Sequence, residues 1–275
     1  MGGFLAAAQG RFDTVVFSLC CVTTVLLQIL SNLANDYGDT INGADHSGRT
    51  GPSRAVQSGT ISPTHMRWAI IVFTLLSLVS GVSLIFSAFG TEMRLLLTFL
   101  GIGLLCIAAA IMYTVGRKPY GYAGLGDLSV LIFFGGVGVT GTLFLFTHEW
   151  SGWSLLPALA CGLFSVGVLN INNMRDIESD RMAGKYSIPV RIGKDKAGVY
   201  HWFLLLGGMA SAMVYTALNY RSPLQFLFLF SVPIFLIIGK AVNEKPSAEL
   251  DPYLKRMALG TLLFVVLFGI GQLVA

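Results

Sequence analysis

Nine stretches of this chain are apolar over most of their length. Most run for about twenty residues, enough for a helix rising about 1.5 Å per residue to cross roughly 30 Å of hydrocarbon. They fall at about residues 2–10, 13–36, 64–89, 92–114, 128–147, 153–176, 197–219, 223–241 and 253–274, and only loops are left between them. Mean hydropathy is +0.72 and 12% of residues are charged, against roughly 25% in an average soluble domain. The expected fold is therefore an all-α multi-pass membrane protein of about nine transmembrane helices, one domain over residues 1–275. The first stretch is too short to span and reads as the end of a truncated helix or the product of a misplaced start codon. A signal peptide is a poor reading of MGGFLAAAQG, which lacks a basic leader and a long enough apolar core.

Two of these segments end in acids. The first delivers NLANDYGDTINGAD, with Asn32, Asp36 and Asp39 at offsets of four and three, so on a helix their oxygens share one face. The second delivers NNMRDIESD, with Asn172, Asp176 and Asp180 at offsets of four and four. Carboxylates at the end of a lipid-embedded segment are costly unless a cation meets them, so such a cluster is read as functional. A single aspartate would be read as a helix cap in headgroup water. The recurrence of Asn-x3-Asp at equivalent ends of two segments, 140 residues apart, favours function and suggests an internal duplication.

Charge placement sets the orientation. When loops are alternated across the membrane, 15 of the 18 Lys and Arg residues fall on the side that holds both acidic clusters, leaving Arg11, Arg94 and Arg221 opposite. By the positive-inside rule that side is cytoplasmic. The expected location is a bacterial inner membrane with the site facing the cytoplasm and the lipid bilayer as surroundings, and no nucleic-acid partner is expected.

Hard oxygen ligands from Asp and Asn suit Mg²⁺, which takes one or two carboxylates together with substrate phosphate oxygens. Two such clusters would clamp a diphosphate ester and neutralise the charge on its leaving group. Arg54, Lys118, Arg181, Lys185 and Arg191 stand beside them as candidates for the remaining phosphate oxygens, whereas Arg49, Lys194 and Lys196 read as topology or headgroup charges. His46 and Asp45 lie in the same polar loop as Arg54. The chain has no EF-hand, P-loop, HExxH or Ser/His nucleophile pattern. Gly136, Gly138 and Gly141 form a literal GxGxxG, but inside an apolar helix, where small residues serve close helix packing rather than a dinucleotide. Cys20, Cys21, Cys106 and Cys161 sit in apolar segments without CxxC spacing and read as buried packing residues.

These stretches, NLANDYGDTINGAD with NINNMRDIESDRMAGKYSIPVRIG, resemble the UbiA superfamily of intramembrane prenyltransferases, whose two aspartate-rich motifs bind a prenyl diphosphate through Mg²⁺. Within it, QILSNLANDYGD, YTVGRKPYGYAGLGD and LNINNMRDIESDR resemble the branch that prenylates 1,4-dihydroxy-2-naphthoate in menaquinone biosynthesis. The resemblance runs from about residue 4 to the end. It implies a helix bundle around a central cavity, with Asn32, Asp36 and Asp39 serving one Mg²⁺ and Asp176 and Asp180 another. Asp45 falls six residues after Asp39, where other branches often have four. The family normally starts with a basic, proline-containing stretch and a complete first helix, of which only the last portion is present.

The reaction implied is electrophilic prenyl transfer from a polyprenyl diphosphate, with loss of diphosphate and CO₂, giving demethylmenaquinol. Tyr113, Tyr120 and Tyr122 are candidate ring-side contacts for the acceptor, and equally membrane-interface aromatics. Two alternatives stay open. One keeps the superfamily and changes the acceptor to 4-hydroxybenzoate, homogentisate or haem. The other is a secondary transporter, which would place its polar site nearer the bilayer midplane. Prenyl length and oligomeric state are not encoded in any recognisable pattern.

Overall fold

A computed structural model describes residues 1–45 and 52–275; His46 and Arg49 lie outside the described residues. Every regular element among them is helical. A seven-residue α1 (Gly2–Ala8) precedes α2 (Thr14–Ile41), α3 (Pro63–Phe89) and α4 (Met93–Met112). Residues 126–147 form one continuous helical span: α5 (Gly126–Val130), a π-helical stretch (Leu131–Gly141) and α6 (Thr142–Thr147). Then come α7 (Leu155–Arg175), two short helices α8 (Ile177–Met182) and α9 (Ile188–Ile192), and α10 (Lys194–Leu218). A 3₁₀ stretch (Pro223–Ser231) runs into α11 (Val232–Glu244), and α12 (Asp251–Leu273) closes the fold. Eight of these spans are long and apolar enough to cross a membrane, and α1 is not. Their exposed faces carry Trp68, Val79, Phe203 and Phe230, side chains suited to lipid. The chain is a multi-pass membrane protein.

Helix boundaries follow local chemistry. Asp13 caps α2 by accepting from the Val16 amide at 2.9 Å, and Ser62 caps α3 ahead of Pro63, whose missing N–H costs nothing at that position. Ser222 and Gln225 form a reciprocal capping box around Pro223. The α2 helix runs five residues past the expected end, carrying both Asp36 and Asp39 on helix. The α7 helix instead stops at Arg175, leaving Asp176 as its C-cap and Asp180 on separate α8.

The chain divides into two compact units. One comprises residues 1–12, 127–177 and 188–275. Its core is aromatic: Phe164 of α7 stacks on Phe235 of α11 at 4.5 Å and meets Phe264 of α12 edge-on at 4.7 Å. Each such pair contributes about 0.5–1.5 kcal/mol beyond buried area. The π-helical stretch crosses α7 at Gly135 and Gly162, where a Cβ on Gly135 would lie 2.5 Å from the Ala158 carbonyl oxygen. The glycines that make the close approach are thus not those of the GxGxxG. Gly136 has open space where a Cβ would stand, and at Gly138 and Gly141 a Cβ would meet only Phe133 and Val137 of their own helix. Small residues matter where the crossing falls, which here is at Gly135 and Gly162.

The other unit comprises residues 13–126 and 178–187. In it α2, α3 and α4 pack on one another around Leu30, Ala34, Met66 and Ile70. The short segment 178–187 belongs to this unit although it follows α7 in sequence.

Candidate active site

The last turns of α2 organise the site of the unit built on α2–α4. Gly38 lets the chain just after α4 come against α2, since a Cβ there would lie 2.6 Å from the Thr114 carbonyl oxygen. Thr114 Oγ1 donates to the Ala34 carbonyl at 2.9 Å, and Asn42 Nδ2 donates to the Thr114 carbonyl at 2.8 Å. These bonds fix the start of the loop 113–125 beside Asp39. Tyr122, further along it, donates its hydroxyl to Asp39 Oδ1 at 3.0 Å.

The segment 178–187 supplies the other wall. Gly184, at φ 70°, turns the chain after α8, and the Lys185 amide bonds back to the Asp180 carbonyl at 2.8 Å. The Tyr186 amide then donates to the Tyr122 carbonyl at 2.9 Å. Lys185 is thereby aimed inward: Nζ stands 3.5 Å from Asp39 Oδ2 and 3.4 Å from Asp180 Oδ1, and 5.6 Å from the Tyr122 ring centre. Asp39, Asp180 and Lys185 are all buried. A carboxylate from each acidic motif therefore meets at one ammonium.

Burial works to lower the Lys185 pKa, but the charges of Asp39 and Asp180 outweigh it and hold the ammonium above the ordinary lysine value. Burial, reinforced by Asp39, pushes the Tyr122 phenol above its usual range. Tyr122 thus stays a neutral donor and Lys185 stays charged.

The other members of the first motif have different surroundings. Asp36 accepts from the backbone amides of Ala55 and Val56 at 3.0 and 3.1 Å, tying the loop after α2 to its helix. Asn32 is exposed and accepts from Gln28 at 3.4 Å. Asp45 pairs with Arg54 at 3.4 Å.

In the unit that contains α7 and α12, Arg175 gathers the rest of the second motif. Its guanidinium grips both oxygens of Asp176, at 2.9 and 2.7 Å, and also donates to Asn172 Oδ1 at 2.9 Å and Asp251 Oδ1 at 2.5 Å. The planar fork of arginine suits a bidentate carboxylate grip.

Comparison with known proteins decides the family: residues 1–260 match the model of the UbiA prenyltransferase family. The chain belongs to that family. It is 44% identical over 274 residues to a 1,4-dihydroxy-2-naphthoate octaprenyltransferase of Haemophilus influenzae, covering 99% of this chain and 88% of the relative. An Escherichia coli protein of the same name is 43% identical, covering 98% and 88%. A mouse UbiA prenyltransferase domain-containing protein 1 is 26% identical, covering 98% and 78%. Among solved structures, one described as giving insights into digeranylgeranylglyceryl phosphate synthase in membranes matches with a TM-score of 0.61 at 18% identity, covering 100% of this chain and 91% of that one. That likeness shows the fold. This chain is a membrane prenyltransferase.

Prenyltransferases of this family generally use Mg²⁺ for the diphosphate substrate. Among the described residues no group of three or more carboxylate, His or Cys side chains is close enough to hold an ion alone. Mg²⁺ does not need one, because it accepts one or two carboxylates completed by phosphate oxygens and water. Asp39 and Asp180, converging on a single cation, fit that requirement.

Four of the remaining residues singled out in the sequence have identifiable surroundings. Lys118 lines an open cleft of about 410 Å³ with Asn42, Arg117 and Tyr122. Arg181 is exposed and pairs with Glu178 at 3.2 Å. Tyr120 donates to the Ala109 carbonyl at 2.8 Å and stands edge-on to Tyr113, ring centres 5.5 Å apart. Sequence reasoning missed Arg175 as an organiser, and Asp251 altogether. The arginine lies within the motif and offered a signal; Asp251 offered none.

Proposed function

We propose that this prenyltransferase moves a polyprenyl group from polyprenyl diphosphate to 1,4-dihydroxy-2-naphthoate, releasing diphosphate and CO₂ and giving demethylmenaquinol for menaquinone biosynthesis. The observation that carries the reading is the meeting of Asp39 and Asp180, one carboxylate from each motif, at Lys185. The acceptor rests on the names of the relatives that match nearly the whole chain.

In this reading Asn32, Asp36 and Asp39 of the first motif and Asn172, Asp176 and Asp180 of the second are the ligands offered to Mg²⁺. Mg²⁺ bound by these oxygens would take up negative charge that grows on the departing diphosphate. Lys185, Arg54, Lys118 and Arg181 hold phosphate oxygens and orient the allylic carbon. As the C–O bond breaks, its electron pair leaves with the diphosphate, and the apolar surroundings keep water from the allylic cation. The electron-rich ring carbon bearing the carboxylate attacks, and loss of that carboxyl as CO₂ restores the aromatic ring. Tyr122, already a donor within the site, is the best placed of the three tyrosines to touch the acceptor. The site is proposed to open to the cytoplasm from the inner membrane of a bacterium.

The test is substitution with the fold monitored. Asp36→Ala and Asp176→Ala should each abolish prenyl transfer while the protein still inserts in membranes, and EDTA should abolish it in the wild type. Full activity in either variant, or under EDTA, would remove the metal clamp from the account.

A further inference from the structure

The Asp39–Lys185–Asp180 trio has a property that the reaction does not require. One ammonium stands between two buried carboxylates and already occupies the place a metal would share. The contacts of 3.5 and 3.4 Å exceed the roughly 2.7–2.9 Å of a strong charge-assisted hydrogen bond. Charge rather than tight bonding holds the ammonium there, and its four-carbon stem can swing. Among the described residues no set of three metal-ligating side chains converges, and Asp176 is gripped by Arg175.

We infer that Lys185 is the resident counter-ion of the Asp39–Asp180 pair, so the enzyme alone binds divalent metal poorly and takes it up only together with a diphosphate. A phosphate oxygen offers Lys185 an alternative anion, and once the ammonium moves onto it the two carboxylates can turn to the metal. Metal and donor then load as one unit, and the acidic motifs are not left charged against each other between turnovers. This rests on the metal reading above and adds an order of binding to it.

The order can be measured with Mn²⁺ as the probe, by electron paramagnetic resonance of the free ion, on purified protein in detergent. Wild type and Lys185→Arg, which keeps the charge, should bind Mn²⁺ alone weakly. Lys185→Met should bind it tighter by roughly tenfold or more, a usual size for coupling between two ligands, and the gain should vanish in the Lys185→Met, Asp39→Asn double variant. Wild type should acquire tight Mn²⁺ binding when a geranyl thiodiphosphate is present, beyond what that compound sequesters without protein. Equal affinity of wild type and Lys185→Met for Mn²⁺ alone would overturn the inference and leave the metal reading standing. Mn²⁺ held by neither protein, with or without the thiodiphosphate, would remove both. Should Lys185→Met fail to fold, tight binding of Mn²⁺ by wild type without any diphosphate is sufficient to overturn it.

Discussion

Arg175 and Asp251 lie 76 positions apart in the chain and join through Nη1 and Oδ1 at 2.5 Å. The contact ties the end of α7 to the start of α12 and shares out the guanidinium that also grips Asp176. Half of the Asp251 side chain faces solvent, whereas that of Arg175 is buried; Asp251 takes Nη1 while Nε and Nη2 hold Asp176, so the two carboxylates compete for the charge of one guanidinium through different nitrogens.

Removing that competitor should leave Arg175 more firmly on Asp176. Asp251→Ala is expected to raise the Mg²⁺ concentration needed for half-maximal transfer by about two- to fivefold, the equivalent of the 0.5–1 kcal/mol typical of part-exposed pairs. Asp251→Glu should behave as wild type. Magnesium titrations of initial rate check both.

Asp36 has two tasks that substitution can separate. Its oxygens hold the Ala55 and Val56 amides, so Asp36→Ala should lose transfer and also free the loop, at about 1.5–3 kcal/mol. Asp36→Asn keeps an acceptor oxygen and should lose transfer with a smaller change in melting temperature. Trypsin cleavage after Arg54 should accelerate in the alanine variant more than in the asparagine one.

Lys185 gives stability a pH dependence with a definite sign. Its pKa is raised on folding by Asp39 and Asp180, so its contribution is fully present below the ordinary lysine value of about 10.4 and is lost as pH rises through the higher folded value. Thermal unfolding across the alkaline range should show this loss in wild type, and a flatter alkaline limb in Lys185→Met.

Close approach at Gly135 should be intolerant of a methyl group. Gly135→Ala puts a Cβ at 2.5 Å from the Ala158 carbonyl oxygen and 3.0 Å from Gly162 Cα, so it should destabilise by about 1–3 kcal/mol. Gly136→Ala, which enters open space, should not, and melting curves of the two variants compare them directly.

The membrane-spanning helices were legible because hydrophobic length and caps such as Asp13 and Ser62 are local properties of the chain. The acidic motifs stood out for the same reason, since Asn-x3-Asp at a segment end needs no tertiary context to be noticed. What the residues touch was not. The four-residue offset from Asp176 to Asp180 suggested one helical face, but α7 ends at Arg175 and Asp180 travels with the neighbouring unit. That Lys185 would reach both Asp39 and Asp180 depends on the Gly184 turn and on the Tyr186–Tyr122 backbone bond, neither of which a linear pattern expresses. In the sequence Asp251 reads as the end of a short charged loop like many others, and only folding, which puts it in the first turn of α12, brings it to Arg175.

The central claim, transfer of a prenyl group to a dihydroxynaphthoate, is tested most directly by the mass spectrum of the product. Purified protein given 1,4-dihydroxy-2-naphthoate, 4-hydroxybenzoate and homogentisate together, with one polyprenyl diphosphate and Mg²⁺, should yield the prenylated naphthalenediol lacking the carboxyl group, and no adduct of the other two. Prenylated 4-hydroxybenzoate or homogentisate as the main product, or no covalent product at all from folded protein, would contradict the account.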